Sequence, residues 1–429
     1  MTQHSSIIFT ADKNSEPASE RSGSEFFLSP KNHPRSIPNS EFLSAEALAK
    51  EVRIPNSKVA LVASIAWTLW NYRLELIRAL ESAGFEVLLF AADDASRPKI
   101  EQRTRAQFFP LRQLSRRSLS LFQNLKFLFE IFFALRRHRP DVVLFFTIRP
   151  NTLGNLAAAT AGIPSISTIE GMGIAGTSQG WLRRLTKMLY RLAFRHASKV
   201  IFLNNDDLQE FLRQQIVRPE KALLVHGPGI DLQHFAPRER EKTSKKTVFL
   251  FVARLLSEKG IREFAEAARL LRNKGAAAEC RVLGSTDSGN PTTISDAELE
   301  GWVREGILQH LGFLDDVRPA IAEADVLVLP SYYREGVPRS VLEAMGMEKP
   351  IITTDNVGCR DTVEESKNGF LVPPRNVAAL ADAMEKAIEL TPAQRAEMGR
   401  HSRQKAEAEF GDKWVLPRYL ALIREVLGE

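Results

Sequence analysis

Two glutamates with seven residues between them, Glu335 and Glu343, flank a Gly-Val-Pro turn in REGVPRSVLEAMGMEKPIITT, residues 334–354. The apolar run 326–329 lies ahead, and Val341, Leu342 and Met345 follow at helical spacing. The pattern predicts strand, loop and helix, with Pro338 as the first helical residue. Glu335 then sits in the loop and Glu343 in the second turn of the helix. One acid near a helix start answers the helix dipole, but a second has no such role. The free amides of Gly336, Val337 and their neighbours around Pro338 can seat phosphate oxygens. A carboxylate accepts hydrogen bonds from paired hydroxyls. The stretch FLFVARLLSEKG, residues 249–260, adds a strand, a loop and two cations, Arg254 and Lys259. Both fall where a cleft ligand would be, and the alternative reading makes them solvated loop charges. Beside the glutamates they fit a diphosphate, which gains negative charge as a bond to it breaks. The ligand these residues describe has hydroxyls at both ends and a diphosphate between.

Such a site needs strands to carry its loops. From Lys58 onward, short apolar runs alternate with amphipathic stretches: strands at 59–63, 85–90, 142–146 and 200–203, and a helix at 71–83 that Gly84 ends. Turn residues at 226–231 and a charged stretch at 238–247 read as a linker. A second series follows, with strands at 248–253, 281–283, 326–329 and 351–352. The fold class is α/β, with parallel sheets covered by helices and a cleft between two halves, where ligands bind at the strands' carboxyl ends. The expected division is a disordered tail at 1–55, rich in Ser, Pro, Asn and charge, Rossmann-like domains at 56–237 and 238–405, and a terminal segment at 406–429. In that segment Trp414, Leu416, Leu420 and Ile423 share helical spacing.

A chain of 429 residues suits two domains, and a net charge of +6 suits an anionic partner. Two cysteines, Cys280 and Cys359, with no CxxC and no His/Cys cluster, argue against a disulfide framework or structural zinc. Nothing resembles a helix-turn-helix, zinc or RNP pattern, so nucleic acid is not the expected partner. The start lacks the pattern of a secretory signal, and no run reaches the ~20 apolar residues of a membrane span. The acidic groups Asp93-Asp94, Asp315-Asp316 and Asn204-Asn205-Asp206-Asp207 sit where helices begin, and read as caps rather than metal ligands. Residues 112–139 carry a broad apolar face, including Leu121, Leu125, Leu128, Phe132 and Leu135, between clusters of arginine. This is either an interfacial helix on anionic lipid or a core helix with a basic exterior. A second basic stretch runs from Trp181 to Arg195 in the same half.

The segments VARLLSEKG, GFLDDV, ADVLVLPSYYREGVPRSVLEAMGMEKPIITTDNVGCRDTV and NGFLVPP together resemble the retaining glycosyltransferases of family 4, whose two Rossmann domains form the GT-B fold. Within it, VASIAWTLWNYRLELIRALESAGFEV and GMGIAGTSQGWLRRLTKMLYRLAFRHASKVIFLNNDD are most similar to bacterial enzymes of capsule, exopolysaccharide and O-antigen synthesis. The resemblance implies an N-terminal acceptor domain, a C-terminal donor domain and a last helix crossing back. It places Arg254 and Lys259 at the diphosphate of a nucleotide sugar, expected to be a UDP-sugar, Glu343 at the ribose and Glu335 at the donor sugar. Gly336, Val337, Pro338, Leu314, Gly171 and Gly173 complete the donor site. Where many relatives have histidine, this chain has Glu170, which with Arg73 is placed as a sugar contact or else satisfies its loop. The family implies no cofactor and no metal, a polyprenyl-diphosphate-linked saccharide as acceptor, and a cytoplasmic enzyme peripheral to the inner membrane face. A sugar-nucleotide epimerase, a pyridoxal-phosphate phosphorylase and a non-catalytic binder of sugar nucleotides are the alternatives, and no lysine near the cleft motifs is designated for a Schiff base.

Overall fold

The computed structural model describes residues 57–114, 121–171, 181–238, 246–287 and 289–429. The tail at 1–55, Gly173, residues 115–120 of the apolar segment and most of the linker lie outside them. The described residues fall in one compact unit.

Seven parallel strands form the first sheet: β1 (Lys58–Ile65), β2 (Glu86–Ala92), β3 (Gln107–Pro110), β4 (Val142–Phe146), β5 (Ser165–Ile169), β6 (Lys199–Phe202) and β7 (Ala222–Leu224). Six parallel strands form the second: β8 (Thr247–Val252), β9 (Ala278–Leu283), β10 (Gln309–His310), β11 (Val326–Leu329), β12 (Ile351–Thr354) and β13 (Gly369–Val372). The spatial orders are β3-β2-β1-β4-β5-β6-β7 and β10-β9-β8-β11-β12-β13. Each sheet therefore reverses its direction of growth once, between β1 and β4 in the first and between β8 and β11 in the second. Loops leaving two such strands in opposite directions open a crevice, which is where α/β sheets bind ligands.

Helices cover both faces. In the first half these are α1 (Ala66–Ser82), α2 (Arg97–Arg103), α3 (Leu121–His138), α4 (Asn155–Ala161), α5 (Trp181–His196) and α6 (Asn205–Arg213). In the second they are α7 (Ile261–Asn273), α8 (Asp296–Arg304), α9 (Arg318–Glu323), α10 (Arg339–Gly346), α11 (Val377–Glu389), α12 (Pro392–Lys405) and α13 (Asp412–Leu427). The apolar runs of the sheets are fully buried: Val59 to Ala63, Val142 to Phe146 and Val326 to Leu329 are at most 1% exposed. α13 leaves the second domain and buries Val415, Tyr419, Leu420, Leu422 and Ile423 among residues of α1, β1, β2 and β4. Trp414 is not part of that face; its Nε1 donates to the Glu407 carbonyl at 2.7 Å.

Several expectations are corrected. α1 begins at Ala66 rather than Asn71, because Asp94 accepts the Trp67 amide at 2.8 Å and supplies the cap from a distant loop. Pro338 is the N-cap of α10, with ψ of 120°, so the helix starts at Arg339. β5 has no apolar run to announce it. Its serines are buried against Asn155, which accepts from Ser165 Oγ and donates to Ser167 Oγ, both at 2.6 Å. The apolar segment is not one broad face: Phe127, Ile131 and Leu135 are buried, Leu128 and Phe132 are half-buried against them, and Leu125 faces outward with Phe122, Phe129 and Phe133. No described helix is long and apolar enough to cross a membrane.

Candidate active site

The loop after β8 and the loop after β11 leave the two strands at the second sheet's reversal, and they bring Lys259 and Glu335 together. Lys259 Nζ donates to Glu335 Oε1, and Ser331 Oγ donates to the same oxygen at 2.9 Å. Glu335 is 8% exposed, so its carboxylate is held by charge and hydrogen bonds rather than by water. The Lys259 ammonium also lies 5.0 Å from the Tyr333 ring centroid. The two loops are laced through their backbones, with the Glu258 carbonyl accepting the amides of Tyr332 and Tyr333 at 2.9 and 3.0 Å. Arg254 is half exposed and pairs with Asp287 at 3.4 Å, a contact of the kind that contributes little.

α10 carries the second glutamate. Arg339 Nε donates to Glu343 Oε1 at 3.0 Å, and burial raises the Glu343 pKa against the opposing pull of Arg339. The Arg339 guanidinium lies 5.6 Å from the ring centroid of Tyr72, on α1 of the first domain. Burial pushes the Tyr72 phenol up to about 12, and it feels the charges of Arg339, Glu343, Glu170 and Arg254. Tyr72 is therefore within electrostatic reach of charged groups from both domains. Val337 is buried, whereas Leu314 is exposed on the loop before α9.

From the first domain, Glu170 accepts from Arg73 Nη2. Arg73 does not face the cleft as expected for a sugar contact. It is 1% exposed, lies 4.3 Å from the Phe146 ring centroid and fixes the Glu170 carboxylate from below. Next to it the domains meet with no room for side chains. A Cβ on Gly171, whose φ is 103°, would come within 2.7 Å of the Arg334 carbonyl oxygen and the Gly336 nitrogen. One on Gly336 would come within 2.8 Å of the Glu170 backbone. The glycines let the first domain's loop touch the very segment that holds Glu335.

Asn204 is the cap expected of it, accepting the Asp207 amide at 2.7 Å, and it also reaches the second domain, a role its capping pattern had hidden. Asp316 likewise accepts the Arg318 amide at 3.0 Å. Ser331, Tyr72, Arg334 and Arg339 were not singled out from the sequence; only their place beside the glutamates distinguishes them. Cys359, buried near Glu335, has its thiol pushed up to about 12 by burial, which removes it as a nucleophile at neutral pH. Among the described residues no group of three or more His, Cys, Asp or Glu is gathered as for a metal.

Amides at the start of α10 beside Lys259, Arg254 and the two glutamates are the chemistry that a phosphorylated, hydroxyl-rich ligand requires. Two sequence families match the two halves: "Glycosyl transferase 4-like domain" over residues 68–228 and "Glycosyl transferases group 1" over residues 246–389. The chain is 29% identical over 386 residues to the N,N'-diacetylbacillosaminyl-diphospho-undecaprenol alpha-1,3-N-acetylgalactosaminyltransferase of Campylobacter jejuni, covering 86% of this chain and 99% of that one. It is 26% identical to the UDP-Gal:alpha-D-GlcNAc-diphosphoundecaprenol alpha-1,3-galactosyltransferase of Escherichia coli, over 64% of this chain and 73% of that one. Its fold is that of the sucrose-phosphate synthase of Thermosynechococcus elongatus, with a TM-score of 0.72 at 19% identity over 87% and 99% of the two chains. It is also that of Anabaena HepE in complex with UDP-glucose, with a TM-score of 0.68 at 17% identity over 86% and 99%.

Proposed function

Since the chain is a GT-B glycosyltransferase, built from a 4-like and a group 1 domain, we propose that it moves a hexose or N-acetylhexosamine from a UDP-sugar to a polyprenyl-diphosphate-linked saccharide in surface-polysaccharide synthesis. The observation that carries this reading is the Lys259–Glu335–Ser331 cluster at the reversal of the second sheet, with Glu343 one helix away. The named relatives from Campylobacter jejuni and Escherichia coli, both acting on diphosphoundecaprenol saccharides, supply the substrate class.

In the proposed reaction Glu343 accepts from the ribose hydroxyls and Glu335 from hydroxyls of the donor sugar. Lys259, Arg254 and the amides leading into α10 hold the diphosphate. The bond from the anomeric carbon to the phosphate oxygen breaks with its electron pair leaving on that oxygen, and the sugar becomes oxocarbenium-like. The acceptor hydroxyl attacks from the same face and gives its proton to the departing oxygen, so configuration is retained. Fixed positive charge meets the developing negative charge, which makes a divalent metal unnecessary. Purified protein screened against UDP-, GDP- and ADP-sugars by thermal shift and turnover is expected to select a UDP-sugar and consume it with a polyprenyl-diphosphate-sugar. Stabilisation without turnover on any acceptor indicates a binding protein, and a product inverted relative to the donor overturns retention.

The first domain offers a surface for such an acceptor, and we place the enzyme on the cytoplasmic membrane face. Outward on α3 stand Phe122, Leu125, Phe129 and Phe133, and outward on α5 stand Leu185, Met188 and Leu192. Both helices pack on α4, which brings the two stripes into one region of the first domain. Exposed Lys126, Arg136, Arg137, Arg184, Arg191 and Arg195 lie among them. Apolar residues between arginines fit an anionic bilayer surface. Replacing both Phe129 and Phe133 by Ser is expected to cut salt-sensitive binding to anionic vesicles about tenfold or more, since each buried ring contributes roughly 1.5–3 kcal/mol. Equal binding by this variant, or none by the parent, removes the surface from the mechanism.

A further inference from the structure

Several contacts between the two domains meet on one stretch of backbone, the three residues centred on Glu335. Asn204, 1% exposed at the end of β6, donates its Nδ2 to the carbonyl oxygens of Gly336 at 2.9 Å and Glu335 at 3.2 Å. Asp207, fully buried on α6, accepts from Arg334 Nε at 2.7 Å and from the same Asn204 nitrogen at 3.0 Å. The residue before Glu335 and the residue after it are thus both tied to the first domain, while the glutamate side chain points to Lys259 of the second. A helix cap uses only the Asn204 oxygen, and serine or aspartate would cap equally well. The amide nitrogen is surplus to that task and is aimed across the cleft. Without it two buried carbonyls lose a donor, which is unfavourable wherever water cannot replace it.

We propose that Asn204, supported by Asp207, is a positioning residue for transfer, a strut from the acceptor-side domain that sets the backbone of the Glu335 loop. The carboxylate and the amides after it then take their donor-facing positions only while the domains are together. The catalytic consequence rests on the glycosyltransferase reading, but the strut itself does not.

Asn204→Ser separates the two roles, because the serine oxygen retains the cap acceptor, while its single O–H on a shorter side chain cannot replace the two N–H donors of the amide. In the full-length protein, its thermal midpoint is expected to stay close to that of the parent, while amide hydrogen exchange at Glu335, Gly336 and Val337 speeds up about tenfold or more. Turnover number is expected to fall about tenfold or more, a larger change than the accompanying rise in donor KM, since the lost contact acts on the placement of Glu335 while Lys259, Arg254 and Glu343 still hold the nucleotide. Asn204→Asp keeps the cap but sets a carboxylate against two carbonyls and Asp207, and is expected to lose more. Asp206→Asn is the control: it weakens the exposed 3.1 Å pair with Arg360, which also spans the domains but does not touch the loop. Unchanged exchange in Asn204→Ser overturns the strut. Faster exchange with parental turnover overturns its positioning role. If the parent consumes no donor, the functional reading fails and the exchange result still decides whether the strut exists.

Discussion

Lys259→Ala is expected to slow transfer by roughly 30- to 1000-fold, the equivalent of about 2–4 kcal/mol of lost transition-state stabilisation. Lys259 is the buried cation of the cleft, with 14% of its side chain exposed, whereas Arg254 is half exposed and already engaged by Asp287. A desolvated charge held in place acts more strongly on a departing diphosphate than one screened by water. The loss is expected mainly in the turnover number, because negative charge on the leaving oxygen is greatest in the transition state. Removing Lys259 also leaves Glu335 without its cation in a nearly closed site, so the variant is expected to be less stable. Lys259→Arg, which keeps the charge, tests that effect separately. Parental turnover in Lys259→Ala eliminates the proposed role.

Glu343→Ala is expected to weaken binding of the UDP-sugar by roughly 10- to 100-fold, as hydrogen bonds to a charged acceptor contribute about 1.5–3 kcal/mol. UDP alone should lose as much, because the ribose belongs to both molecules. That equality, read by calorimetry, distinguishes a ribose contact from a contact to the transferred sugar. The pKa of Glu343 is raised by burial, so acidification protonates it before an ordinary surface glutamate. Nucleotide affinity of the parent should accordingly fall at a higher pH than exposed carboxylates would dictate, and that fall should be absent from the variant. A difference in loss between UDP and UDP-sugar would move Glu343 away from the ribose.

The parts of this site that can be read along the chain are those built by neighbours in sequence. β11, its loop and α10 follow one another within residues 326–346, so apolar runs and turn residues reveal them. The pairing of Lys259 with Glu335 spans 76 positions and depends on β8 lying beside β11, which is a property of sheet order. The start of α1 was displaced because its cap comes from Asp94, 27 positions away. β5 was missed because buried serines satisfied by Asn155 do not look like a core strand. Asn204 was read correctly as a cap, and that local explanation concealed its longer reach. Arg73 was legible as a residue near the cleft, but its burial under Phe146 could only come from packing.

The route of α13 gives the molecule a property that neither sheet has alone. The helix α13 begins in the second domain and lays Tyr419, Leu420 and Ile423 into the hydrophobic centre of the first. A chain cut at the linker would therefore leave the N-terminal piece with an unfilled groove and the C-terminal piece with a bare apolar helix. During synthesis the first domain must wait for residues 412–427 to emerge before its interior closes. The halves face each other as two domains but mature as one.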